Sequence, residues 1–93
     1  MSGIKFPLGN LYATPAALEA IQSAGDDFMA YVIKHLALDP GDLSPADIAE
    51  NELSVREGFR ILSAYTLSDG KTKIWIITEA TRESTTILLP SEY

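Results

Sequence analysis

Apolar residues recur along this chain in two rhythms, a helical one up to about residue 58 and a stranded one after it. Thr14-Pro15 offers a hydroxyl N-cap followed by proline at the first helical position, and Gly25 supplies a stop, so a short helix is predicted over residues 15–23. Asp26-Asp27 opens a second helix running to about Ala37, with Phe28, Met29, Val32, Ile33 and Leu36 on one face of a 100° wheel. Ser44-Pro45-Ala46-Asp47 is the clearest local signal, an N-cap serine with an acid three residues on, and its helix should end at Gly58. On that third helix the wheel turns Ala46, Ile48, Ala49, Leu53 and Val55 inward and Asp47, Glu50, Asn51, Ser54 and Glu57 outward.

Beyond Gly58 the residues are Ile, Thr, Tyr and Trp in alternation, predicting strands over 59–67, 72–78 and 84–89. Asp69-Gly70 makes the first pair a hairpin, and a turn near residues 81–83 completes an antiparallel meander. Residues 6–12 suit a short irregular strand, confined by Pro7 and Gly9 to an edge or a bulge. The expected fold is a single α+β domain over residues 1–93, about three short helices on a three-stranded meander with an extra N-terminal edge strand. The middle strand carries Ile74 and Ile76 on one face and Trp75 and Ile77 on the other, so both faces need cover. A homodimer through the second face is one way to supply it.

Composition adds limits. With 93 residues, 46% of them apolar and 22% charged, the chain is long enough for one core and too apolar to stay disordered. It has no cysteine, hence no disulfide, thiolate metal site or thiol nucleophile. No apolar run is long enough to span a bilayer and no secretory h-region is present, so a cytoplasmic protein without membrane contact is expected.

Charge is segregated. Between Asp26 and Glu57 eight carboxylates face two cations, which accounts for the whole net charge of −6 and leaves the rest of the chain neutral. Such a field repels phosphate backbones and favours basic partners, which disfavours direct nucleic-acid binding. Asp39, Asp42, Asp47, Glu50, Asn51 and Glu57 are therefore the candidate protein-binding face. The commoner reading of such acidity is a solubilising surface.

Chemistry has few footholds. The lone histidine, His35, would serve catalysis as a general base oriented by Asp39 or Asp42, although lone histidines near helix ends are mostly structural. A metal site would gather His35, Asp39, Asp42 and Asp47, yet no calcium-loop pattern occurs. Phosphate-loop and dinucleotide motifs are absent, and no cofactor is expected. Glu52 and Arg56 are spaced for an i,i+4 ion pair. The alternative ligand patch is basic and aromatic: Arg56, Arg60, Lys71, Lys73, Trp75 and Arg82, a platform for bases or an anion. The tail Pro90-Ser91-Glu92-Tyr93 ends in an aromatic residue suited to docking on a partner or on its own domain.

The run Gly-Phe-Arg-Ile-Leu-Ser-Ala-Tyr from Gly58, then Lys-Ile-Trp-Ile-Ile-Thr-Glu-Ala and Ser-Thr-Thr-Ile-Leu-Leu-Pro-Ser-Glu-Tyr, resembles a family of small bacterial proteins. Its members are usually labelled hypothetical or plasmid-related and sometimes carry a type I restriction subunit name. Pro7-Leu8-Gly9-Asn10, Ala13-Thr14-Pro15 and Glu50-Asn51-Glu52 extend the likeness over nearly the whole chain. That family places Gly-Asp-Trp-Gly-Asp after the histidine, where this chain reads Leu38-Asp39-Pro40-Gly41-Asp42. The resemblance implies a setting, the cargo of plasmids and other mobile elements near antirestriction genes, and no catalytic residues. The expectation is a non-enzymatic interaction protein, in its sharper form an inhibitor of host defence of the antirestriction or anti-CRISPR kind. The alternatives are a nucleic-acid or anionic-ligand binder on the basic patch and a small enzyme centred on His35.

Overall fold

A computed structural model describes residues 4–93. The elements are β1 (Asn10–Ala13), α1 (Pro15–Ser23), α2 (Phe28–Leu36), α3 (Pro45–Glu57), β2 (Ile61–Thr66), β3 (Lys73–Thr78), β4 (Ser84–Leu88) and a closing 3-10 turn, Pro90–Glu92. The architecture is α+β, with the helices ahead of the meander strands in sequence. The sheet order is β1-β4-β3-β2, antiparallel throughout the meander, and β1 joins the far edge in parallel with Asn10 opposite Ser84 and Ala13 opposite Ile87. The N-terminal edge strand thus forms, although over 10–13 rather than 6–12.

The helix starts follow their caps. The Thr14 hydroxyl accepts from the Ala17 amide, Asp27 from Met29 and Ser44 from Asp47, each satisfying an amide that the first helical turn leaves without a partner. Gly58 closes α3 in the left-handed region at φ 81°. At the hairpin tip the amides of Lys71 and Thr72 and the Thr72 hydroxyl converge on Asp69, and these bonds hold its carboxyl down at about 2.

Cross-strand register decides the two sheet faces. Ile61, Ser63, Tyr65, Ile74, Ile76, Thr78, Thr85 and Ile87 point one way, and α1 and α2 cover them with Ala17, Ile21, Tyr31, Val32 and Leu36. This is the core, and each fully buried isoleucine in it contributes about 1.5–3 kcal/mol relative to exposure. Asp26 fastens α2 to the β2–β3 turn, accepting from the Tyr31 hydroxyl at 2.6 Å and the Ser68 amide at 2.8 Å. Hydrogen bonds from Ser68 and Tyr31 hold the Asp26 carboxyl below its usual range. Burial, and then Asp26, push the Tyr31 phenol up to about 12.

Two helix faces differ from those the wheel predicts. On α2 the buried residues are Tyr31, Val32, His35 and Leu36, while Met29 and Ile33 are exposed, Ile33 at 62%. The face has rotated because hydroxyls on the sheet hydrogen-bond His35, letting an imidazole occupy a core position. On α3 the buried residues are Asn51 and Ser54, Ala46 and Ala49 are exposed, and Ile48, Leu53 and Val55 are only half-buried. Here the helix lies along the edge of β2, where hydrogen-bonding side chains count for more than apolar ones. The Asn51 amide donates to the Leu62 carbonyl at 2.6 Å and accepts from the Leu62 amide at 3.2 Å. Nor do Glu52 and Arg56 pair: the Arg56 guanidinium lies 3.8 Å from Glu57 instead, largely in solvent.

Candidate functional site

The second sheet face carries Leu62, Ala64, Lys73, Trp75, Ile77, Thr86 and Leu88. Ile77 and Leu88 are buried there, outside the cluster that α1 and α2 form on the opposite face. Part of the cover comes from the chain's own end. The 3-10 turn packs on β3, and Tyr93 meets Trp75 edge-on with ring centroids 5.4 Å apart. Glu92 anchors the turn, accepting from the Thr14 hydroxyl at 2.7 Å and the Leu89 amide at 2.9 Å, and these bonds lower its carboxyl. Even so, Tyr93 is 63% exposed and Tyr12 54%. The Arg60 guanidinium stands 5.5 Å from the Tyr93 ring centre, a cation–π contact at the rim.

Next to this face, between α3 and the start of β2, is a shallow cleft of about 180 Å³. It is lined by the half-buried Leu43 and Leu62, the buried Asn51 and the exposed Asp47, Glu50 and Arg60. The carboxylates of Asp47 and Glu50, one turn apart, are exposed and make no hydrogen bond or ion pair among the described residues, so this side of α3 is an acidic ridge, with Glu52 around the helix from it.

The six residues expected on the acidic face do not share one role. Asp47 and Glu50 line the cleft, and Glu57 sits at the far end of α3 beside Arg56. Asp39 caps the turn that follows α2, accepting from the Gly41 amide at 3.0 Å. Asp42 accepts from the Thr66 hydroxyl and lies 3.5 Å from the Lys73 ammonium, while its amide donates to the Ala64 carbonyl. Asn51 is 93% withdrawn from solvent against β2, being 7% exposed, and so serves the fold.

The basic patch is also divided. Arg60, Lys73 and Trp75 border the open sheet face, whereas Lys71 is at the hairpin tip and Arg56 on α3. Arg82 is spent elsewhere: its guanidinium donates to the carbonyls of Phe59 at 2.7 Å, Ser54 at 2.9 Å, Glu79 at 3.1 Å and Ala80 at 3.3 Å. It thereby joins the Gly58 and Phe59 amides on the Ser54 carbonyl at the end of α3 and ties the β3–β4 turn to it.

His35 is fully buried. Its Nδ1 is 2.6 Å from the Ser63 hydroxyl and its Nε2 2.8 Å from the Thr78 hydroxyl; neither Asp39 nor Asp42 reaches it. Thr78 in turn meets Thr85 at 2.7 Å, and Thr85 donates to the Leu8 carbonyl at 2.7 Å. The serine–histidine pair has the spacing of a nucleophile and its base, but both groups are closed off from any substrate. Among the described residues no three His, Asp or Glu side chains gather as a metal site. No helix among them is long and apolar enough to cross a membrane.

The polar lining of α3 and the histidine relay were invisible to apolar periodicity; their only sequence trace is the set of alternating hydroxyls Ser63, Thr78 and Thr85 on inward strand positions. Neither a protein-family model, nor a curated protein, nor a solved structure matches this chain.

Proposed function

We propose that this domain acts by binding a protein partner rather than by catalysis, using the acidic ridge of α3 together with the cleft and open sheet face beside it. The observation that carries this reading is that Asp47 and Glu50, both exposed and unpaired, line one cleft with Leu43 and Leu62. Such a surface suits lysine or arginine side chains, whose alkyl stems rest on Leu43 and Leu62 while their cationic heads meet the carboxylates. Exposed Tyr93 and half-buried Trp75 add the amphipathic aromatic area that interfaces favour. The inaccessibility of His35 and Ser63 supports binding over chemistry.

The family resemblance makes a basic component of a host defence complex the first partner to test, in keeping with a mobile-element protein of the antirestriction or anti-CRISPR kind that inhibits a restriction enzyme or a CRISPR nuclease. Tagged protein is mixed with lysate of a bacterial host, and the retained proteins are identified by mass spectrometry. A specific partner retained by the wild type and lost with Asp47→Asn/Glu50→Gln supports the reading; equal retention by both overturns it.

A second reading rests on Arg60, Lys73 and Trp75 bordering one face. If that face stacks nucleic-acid bases, Trp75 fluorescence quenches on adding single-stranded oligonucleotide at low salt and recovers as salt rises. No quenching at low salt removes it.

A further inference from the structure

The segment that follows β4 lies across the second sheet face like a bound peptide. Leu89 leaves β4 extended, and Pro90–Glu92 then turn once, closed by the Glu92 amide on the Leu89 carbonyl and the Tyr93 amide on the Pro90 carbonyl. None of the three residues of the turn is buried. Two side chains reach the rest of the domain. The Glu92 carboxylate accepts from the Thr14 hydroxyl, and the Tyr93 ring stands edge-on to Trp75 with the Arg60 guanidinium on its other side.

Register fixes what lies under that ring. On the second face Ala64, Trp75 and Leu88 form one row, and Thr14 extends it past β4, its amide bonded to the Ile87 carbonyl. The next row is Leu62, Ile77 and Thr86, and Arg60 begins the row beyond. Rows on one face are about 7 Å apart. A ring 5.4 Å from the Trp75 ring and 5.5 Å from the Arg60 guanidinium carbon therefore stands over the middle row. It supplies part of the cover for Ile77, which is buried outside the cluster that α1 and α2 form.

The domain's share of this contact is a hydroxyl donor at the start of α1, an indole in the middle of the sheet and a guanidinium at the start of β2. Thr14 is fixed by the Ala17 amide on its oxygen, and Trp75 by its strand pairs with Ala64 and Leu88, so both keep their places when the segment lifts. The segment is one exposed turn beyond the last strand, and such elements open locally while the sheet stays intact.

We propose that Thr14, Trp75 and Arg60 form a docking site for a partner segment in which a carboxylate residue is followed directly by an aromatic one, and that Pro90–Tyr93 are its resident occupant in the free protein. The partner's carboxylate takes the Thr14 hydroxyl and its ring replaces Tyr93 between Trp75 and Arg60, so that Ile77 is covered again. A hydroxyl donor and a cation beside the ring favour an anionic segment over a cationic one. This surface thus differs in chemistry from the cleft on α3, whose partner is basic and meets Asp47 and Glu50, and neither site requires the other.

A peptide added to the full chain tests the site without any lysate partner. Glu92→Gln/Tyr93→Ala alters two exposed side chains and frees the site from its occupant. Acetyl-Leu-Pro-Ser-Glu-Tyr-amide should then move the indole signal of the single tryptophan back to its wild-type position in proton–nitrogen spectra, saturating at millimolar peptide. The wild type, whose site is open in only a fraction of molecules, should need about tenfold more peptide. A peptide with glutamine in place of glutamate should bind the variant about fivefold more weakly. Amide exchange in the wild type is a measurement independent of any variant: Glu92 and Tyr93 should exchange about a hundredfold faster than the β3 amides. An indole signal that does not return overturns the proposal. So does equal binding by wild type and variant, equal binding of the glutamine peptide, or protection of Glu92 and Tyr93 equal to that of β3.

Discussion

Helices α2 and α3 follow each other in the chain and meet the same sheet in opposite ways. α2 lies on a face and docks by burial: Tyr31, Val32 and Leu36 enter the apolar cluster, and its one polar guest, His35, has both nitrogens bonded. α3 lies on an edge and docks by satisfying backbone: Asn51 takes both the amide and the carbonyl of Leu62, and its apolar residues remain half-exposed. Sheet faces offer area, and sheet edges offer unpaired donors and acceptors. The type of residue that counts as inward depends on which of these a helix meets.

The comparison can be broken from either side. Leu36→Ala should cost about 3 kcal/mol by leaving a cavity on the face side, read as a lowered urea midpoint with unchanged slope. Acidification from pH 6.5 to 4 should be nearly as damaging. An imidazole whose folded value is depressed binds its proton more readily when unfolded, so stability is full above about 6.5 and declines as pH falls towards 4, by on the order of 3 kcal/mol. Chemical denaturation across that range should show the decline in the wild type and a shallower one in His35→Gln.

Asn51→Ala should cost about 2 kcal/mol, because both Leu62 groups lose their partner in a half-buried position. Equal stability of the variant would mean that apolar contacts hold α3. Gly58→Ala should cost about 1 kcal/mol from backbone strain alone, since an added Cβ meets nothing within 4 Å while φ stays at 81°. Neutralising Asp47 and Glu50 together should shift stability by no more than about 0.5 kcal/mol, leaving any loss of partner retention attributable to the surface itself.

The parts legible in the sequence were those governed by neighbours along the chain. Thr14-Pro15 and Gly25 bracketed α1, which spans Pro15–Ser23, and Asp69-Gly70 placed the first hairpin. Contacts between distant residues were not legible. Met29 and Ile33 are as apolar as Val32, and nothing local shows that Tyr31 and His35 would take the inward positions by meeting Asp26 and the strand hydroxyls. The parallel pairing of β1 with β4 brings together residues more than seventy positions apart, with no local signature. At the candidate site, the sequence reading put Asp47 and Glu50 on an acidic face and Arg60 in a separate basic patch, and nothing local showed that one cleft would unite them where Asn51 ties α3 to β2.

That single amide has a further consequence for how the molecule behaves in a crowd of its own copies. An exposed β2 would invite a strand from a neighbour, and from there an open-ended polymer. Asn51 imitates two hydrogen bonds of that neighbour and the Asp42 amide a third at Ala64, so the sheet meets a side chain and a loop where its next strand would begin. The residue that holds α3 in place is therefore also the cap on growth, and its loss should be visible in concentrated solution as fibres before it is visible in dilute solution as unfolding.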